Sequence, residues 1–105
     1  MPLTINKIGA NAFYGIIDLK TIGSKEDNYN NISTIGTNAF FGCSSLIIKE
    51  LPDNLETLED YAFRGCSKIV VTKLPNSLVY SSRAFHVFSN CPYVRISEFG
   101  TENSG

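Results

Sequence analysis

Residues 35 to 58 read Ile35-Gly-Thr-Asn-Ala39-Phe40-Phe-Gly-Cys43-Ser-Ser-Leu46-Ile-Ile-Lys-Glu-Leu51-Pro52-Asp-Asn-Leu55-Glu-Thr-Leu58. The chain then continues Glu-Asp-Tyr-Ala62-Phe63-Arg-Gly-Cys66-Ser-Lys-Ile69-Val-Val-Thr-Lys-Leu74-Pro75-Asn-Ser-Leu78. The two pieces carry the same marks in the same order. Each has an Ala-Phe pair, a Cys three residues after the Phe, an apolar residue three further on, then Leu-Pro and Leu. Self-similarity at a fixed period decides a fold before any single residue does.

Working outward, Ala-Phe occurs four times, at Ala12-Phe13, Ala39-Phe40, Ala62-Phe63 and Ala84-Phe85, at spacings of 27, 23 and 22 residues. Four residues before each Ala stand Ile8, Ile35, Leu58 and Tyr80. Seven before stand Ile5, Ile32 and Leu55, with Leu78 one residue out of step. Four after stand Ile16, Cys43 and Cys66; Cys91 joins them if a three-residue insertion lies near His86 to Phe88. Leu19, Leu46, Ile69 and Val94 follow.

A unit of about 22 residues has no second layer and buries its apolar side only against its neighbours. Each unit reads as a short strand, a turn, a second extended piece and a compact helical turn. In the second unit the strand is Leu46-Ile47-Ile48, ended by Pro52. Asp60 to Gly65 reads as one helical turn closed by glycine. The fold class expected is a right-handed, curved leucine-rich-repeat solenoid, strand-rich with short helical turns. It forms a single domain over residues 1–105, with repeats at roughly 5–31, 32–54, 55–77 and 78–100 and a tail at 101–105. An all-β barrel is the alternative, and it leaves the fixed Ala-Phe and Cys columns unexplained.

The pattern resembles the BspA-like, or Treponema-type, leucine-rich repeats. That unit reads roughly Cys-x-x-Leu-x-x-Ile-x-Leu-Pro-x-x-Leu-x-x-Ile-x-x-x-Ala-Phe-x-x-Cys. The match spans about residues 5 to 99 and is tightest from Ile35 to Leu78. The first unit has Ile16 in place of Cys and a polar insertion, Ser24 to Asn31, in place of Leu-Pro. The apolar residue after the strand position falls one position early in the later units, at Ile48, Val71 and Ile96, where the family's Ile would stand at Lys49, Thr72 and Ser97. The resemblance implies a surface or secreted protein, and in some relatives adhesion to host matrix proteins.

Composition bounds the function. The 105 residues hold 9 Lys+Arg against 10 Asp+Glu, a net charge of -1, which argues against nucleic acid and polybasic membrane binding. No apolar run approaches the ~20 residues of a membrane span, and Met1-Pro2-Leu3-Thr4 lacks the basic start of a signal peptide. No cofactor is expected.

Three residue sets carry possible chemistry. Cys43, Cys66 and Cys91 share one repeat position, where a metal site, a disulfide and a buried apolar column are the readings. The absence of short paired spacing and the Ile16 in the same column favour the buried column. His86 is the single histidine, with no carboxylate beside it in sequence, and reads as a loop residue rather than the partner of a catalytic Cys91. Ser81-Ser82 and the glycines form no nucleophile elbow or phosphate loop, so no catalytic residue is expected.

The outward strand positions are the candidate binding face. They are Asp18 and Lys20, Ile47 and Lys49, Val70 and Thr72, then Arg95 and Ser97. Ile47 and Val70 rimmed by Lys49, Glu50, Lys73 and Arg95 form a protein-binding patch on one reading and two scattered apolar residues on the other. Asn31-Ile32-Ser33 is a glycosylation sequon with meaning only in a secreted chain. A protein partner is expected, with end-to-end self-association as the alternative. Phe88, Pro92, Tyr93 and Phe99 are the residues expected to cover the last unit.

Overall fold

A computed structural model describes residues 6–22, 29–81 and 84–94. Four short strands, β1 (Lys7–Ile8), β2 (Thr34–Ile35), β3 (Thr57–Leu58) and β4 (Tyr80–Ser81), form one parallel sheet in chain order. The register is Ile8↔Ile35, Ile35↔Leu58 and Leu58↔Ser81. A 3-10 turn covers Tyr29–Asn31, and one short helix, α1, covers Ala84–Val87.

The fold is strand-poor, which corrects the strand-rich expectation, and the sheet lies in the other extended piece of the unit. Leu46-Ile47-Ile48 is extended, but its layer-to-layer pairing is sparse. Ile47 donates its N–H to the Lys20 carbonyl at 3.0 Å, and Val70 donates to Ile48 at 2.8 Å. The paired strands instead precede each Ala-Phe, where Ser33 and Gly36 donate back to Asn6 and Ile8, and Glu56 and Glu59 back to Ser33 and Ile35. β-Branched Thr34, Ile35 and Thr57 suit that pleated surface.

The Ala-Phe segments of the first three units are chains of turns rather than helical turns. In the third unit Ala62, Arg64 and Cys66 donate three residues back, to Glu59, Tyr61 and Phe63. The alternate amides, of Phe63 and Gly65, donate forward to Val87 and Ser89 of the next layer. Turning the chain at each step requires positive φ twice per unit. Gly15, Gly42 and Gly65 supply it at the second place, with φ of 71°, 74° and 77°. Asn90 stands at that place in the fourth unit with φ 62°, a residue type whose short polar side chain lets it enter this region.

That register relocates the fourth unit. Phe63 bonds to Val87 as Phe40 bonds to Ala62 and Phe13 to Ala39. Val87-Phe88, not Ala84-Phe85, therefore occupies the Ala-Phe position. The extra residues lie between Ser81 and Val87, where α1 forms, and Val87 to Cys91 then keeps the ordinary spacing. The physical reason is packing. Phe88 stacks on Phe63 at 5.7 Å between centroids and 3° between planes, extending the Phe13–Phe40–Phe63 column, whose steps are both 5.3 Å. Phe88 is thus the last described ring of the column and lies over Phe63, Tyr93 is exposed, and Phe99 lies outside the described residues.

The core lies between the sheet and these turns. Ile32, Ile35, Phe40, Leu46, Leu55, Leu58, Phe63, Ile69 and Val71 are fully buried. Each buried side chain of this size contributes about 1.5–3 kcal/mol over its exposed state. The insertion of the first unit joins this core: Tyr29 is buried and its hydroxyl donates to the Glu50 carbonyl at 2.6 Å. Asn30 Oδ1 accepts the Asp53 amide at 2.9 Å.

Candidate functional site

The alternation that selects the outward face holds in the second and third units. Leu46, Ile48, Ile69 and Val71 are buried, while Ile47 is 53% and Val70 46% exposed on successive layers. Lys49 and Thr72 are exposed beside them. Both line a groove of about 360 Å³ with Glu50, Leu51, Asp53, Lys73 and Pro75. The lining carries two ammonium groups and two carboxylates together with Leu51 and Pro75, so it offers polar partners of both signs next to apolar surface. Asp18 and Lys20 are exposed in the first unit, where Ile22 rather than Thr21 is the buried residue after Leu19. Arg95 and Ser97 lie outside the described residues.

The cysteine column is closed. Cys43, Cys66 and Cys91 are buried and free. Each thiol donates to the carbonyl of the Phe one layer before it: Cys43 to Phe13 at 3.1 Å, Cys66 to Phe40 at 3.0 Å and Cys91 to Phe63 at 2.9 Å. Burial pushes all three up, Cys91 to about 11, and the neighbouring thiols push Cys66 further. The thiols therefore stay protonated near neutral pH, and each adds a second hydrogen bond to a Phe carbonyl that already accepts the backbone amide of Ile16, Cys43 or Cys66. No group of three metal-ligating side chains occurs among the described residues.

His86 does have a carboxylate nearby: its Nδ1 lies 3.7 Å from Asp60 Oδ1, an approach hidden in sequence because the partner is one layer away. The same layering assembles a feature that the sequence reading passed over. The residue after each Phe is Tyr14, Phe41 and then Arg64. Tyr14 and Phe41 stack at 4.8 Å, and the Arg64 guanidinium carbon sits 5.4 Å from the Phe41 centroid and 5.4 Å from that of Tyr61. Aligning the residue after each Phe would have exposed this column.

Strands in chain order, a Phe column and a Cys column at one step per unit are the geometry of stacked repeats. Consistent with it, a family model described as "BspA type Leucine rich repeat region (6 copies)" matches residues 1–103. The chain belongs to the BspA-type leucine-rich repeat family. Comparison with curated proteins found no match, and comparison with solved structures found none either. BspA-type repeats are protein-interaction modules and are generally non-catalytic. No helix among the described residues is long and apolar enough to cross a membrane.

Proposed function

We propose that this BspA-type chain is a non-catalytic adhesion module that holds a protein, such as a host or matrix protein, against the Ile47–Val70 face. The observation that carries the reading is the pair of half-exposed apolar side chains on successive layers, beside the groove lined by Lys49 and Thr72. An apolar centre with a polar rim of mixed charge is the anatomy of a protein interface. The reading takes the layers as a single curved, right-handed solenoid of four units, with Arg95 and Ser97 continuing the face and the protein displayed at a cell surface or secreted.

The test is saturable binding of the purified chain to immobilised fibronectin and fibrinogen at two salt concentrations, beside Ile47→Asp and Val70→Asp. Binding lost in both variants, with the fold retained by circular dichroism, supports the face. Undiminished binding in the double variant removes it.

A second reading is supported by a different observation. Ile16 is 46% exposed although the other members of its column are buried, and Ile17 beside it is exposed as well. Copies stacking end to end would cover that surface, and sedimentation would then show association that rises with concentration and falls in Ile16→Asp.

A further inference from the structure

Arg64 occupies an unusual place for an arginine. It stands in a column whose earlier members, Tyr14 and Phe41, are rings, and its guanidinium carbon lies 5.4 Å from the centroid of Phe41 and 5.4 Å from that of Tyr61. Beyond these ring contacts, its guanidinium makes no hydrogen bond or ion pair among the described residues. Asp60 lies with its Oδ1 3.7 Å from His86 Nδ1. The guanidinium thus has an aromatic ring on two sides, while its five N–H donors have no partner among the described residues.

A braced guanidinium is a receptor of defined chemistry. Its fork matches a carboxylate by two parallel hydrogen bonds, and the rings that fix it reduce the side-chain freedom lost when that pair forms. The rim supports the same ligand. Tyr14 is 51% exposed, and Phe41, Arg64 and Tyr61 are half-buried. Tyrosine and arginine in a semi-enclosed strip are the residue types that dominate binding energy at protein interfaces.

The backbone adds an independent sign. Tyr61 has φ 59°, at the position where the first two units place Asn11 and Asn38 with φ 61° and 59°. Asparagine enters this region readily, whereas a bulky residue there is strained. Strain of this kind persists where the side chain has a task. Here the ring braces Arg64 and lies 5.5 Å from the His86 ring.

We infer that Tyr14, Phe41, Arg64 and Tyr61 form a second docking strip, which receives the carboxylate of a Glu or Asp in an extended acidic segment of a protein partner, with that segment's apolar neighbours lying on the rings. The strip rests on the reading of the chain as a protein-binding module. It shares no residue with the Ile47–Val70 face and does not depend on it. An acidic peptide fits better than a sulfated glycan or nucleic acid. Among the described residues the strip offers one cation, whereas a polyanion needs several cations together.

The test uses the full chain and the acetylated peptide Leu-Glu-Leu-Glu-Leu as probe, followed by NMR at the Arg64 Nε–H and the Phe41 and Tyr61 rings. Saturable shifts at these groups are expected. Affinity should fall at least tenfold for the glutamine version of the peptide and for Arg64→Gln, and several-fold for Arg64→Lys, which keeps the charge but not the fork. Tyr61→Asn should weaken binding while raising the melting temperature, a pairing that a purely structural role for the ring would not give. Ile47→Asp should leave the affinity unchanged, so failure of the other face is read separately. No shift at millimolar peptide, equal binding by Arg64→Gln, or the same shifts from a heparin hexasaccharide with none from the peptide would each overturn the assignment.

Discussion

The turns Ala12–Ile16 and Ala39–Cys43 have nearly the same sequence and opposite surroundings. Ala39, Phe40 and Cys43 are fully buried; Ala12 is exposed, Phe13 only partly buried and Ile16 46% exposed. Local conformation does not separate them, because Asn11 and Asn38 share one φ region and Gly15 and Gly42 the other. What separates them is the layer on the N-terminal side. The second turn is covered by the first, and among the described residues nothing covers the first in the same way. Burial in this molecule is conferred by the neighbouring unit and is not a property of the unit itself.

The largest effect should come from deleting a ring at the two depths. Phe63→Ala is expected to destabilise by about 3–5 kcal/mol, the range for a buried aromatic. Phe13→Ala should cost roughly half as much or less, because part of its ring already faces water. Urea titration of both variants measures this, and equal losses would break the comparison.

Gly36 and Gly9 give the next contrast. A Cβ on Gly36 would lie 2.8 Å from the Ala10 amide nitrogen and 3.0 Å from the Gly9 carbonyl carbon, whereas one on Gly9 meets nothing within 4 Å. Gly36→Ala is therefore expected to cost about 1–3 kcal/mol by forcing the first two layers apart. Gly9→Ala should stay within about 0.5 kcal/mol.

The thiols sharpen the comparison through pH. Folded Cys91 is raised to about 11 by burial, while an unfolded thiol ionises near 8.5. Between those values the unfolded state loses its proton first. Stability is therefore fully present at pH 7.5 and falls by about 1 kcal/mol per pH unit above pH 9 for this group alone. Melting temperatures at pH 7.5 and 9.5 should show the fall, and Cys91→Ala should reduce it. A change at Ile16 should leave the pH dependence untouched.

The smallest effect is at the backbone. Tyr61→Asn should stabilise by about 1 kcal/mol by removing a bulky side chain from the left-handed region. Asn38→Tyr, in the layer before, should do the reverse.

Much of this was readable beforehand, because the period and the buried columns depend only on spacing and volume. The alternation of Leu46 and Ile48 against Ile47, and the burial of the cysteines, follow from that. The location of the sheet did not. Lys7–Ile8 and its partners are two residues long, too short for a period to register, whereas Leu46 to Ile48 has better strand composition and less pairing. The fourth unit misled for a different reason. Ala84-Phe85 matches the motif letter for letter, yet packing selects Val87-Phe88, which fills the same space at the right distance from Cys91. The Arg64 strip escaped notice because its parts are a layer apart in sequence and differ in chemistry, two rings and a cation. The Ile47–Val70 face was legible as a pattern, and its partner lies outside what a pattern can name.

The direction of the hydrogen bonds carries a mechanical consequence. From Asn11 to Gly65 alternate turn amides reach to the following layer, and the strands are joined by similar bonds running along the stack. Tension applied at the two ends of the stack lies along these bonds and opens them one layer at a time, as a zipper opens, instead of shearing a long ladder at once. Each layer freed would release about 23 residues, or roughly 75–80 Å of slack at ~3.4 Å per residue. Tethered at one end and loaded at the other, the chain would act as a soft, stepwise spring whose weakest step is the half-covered first layer.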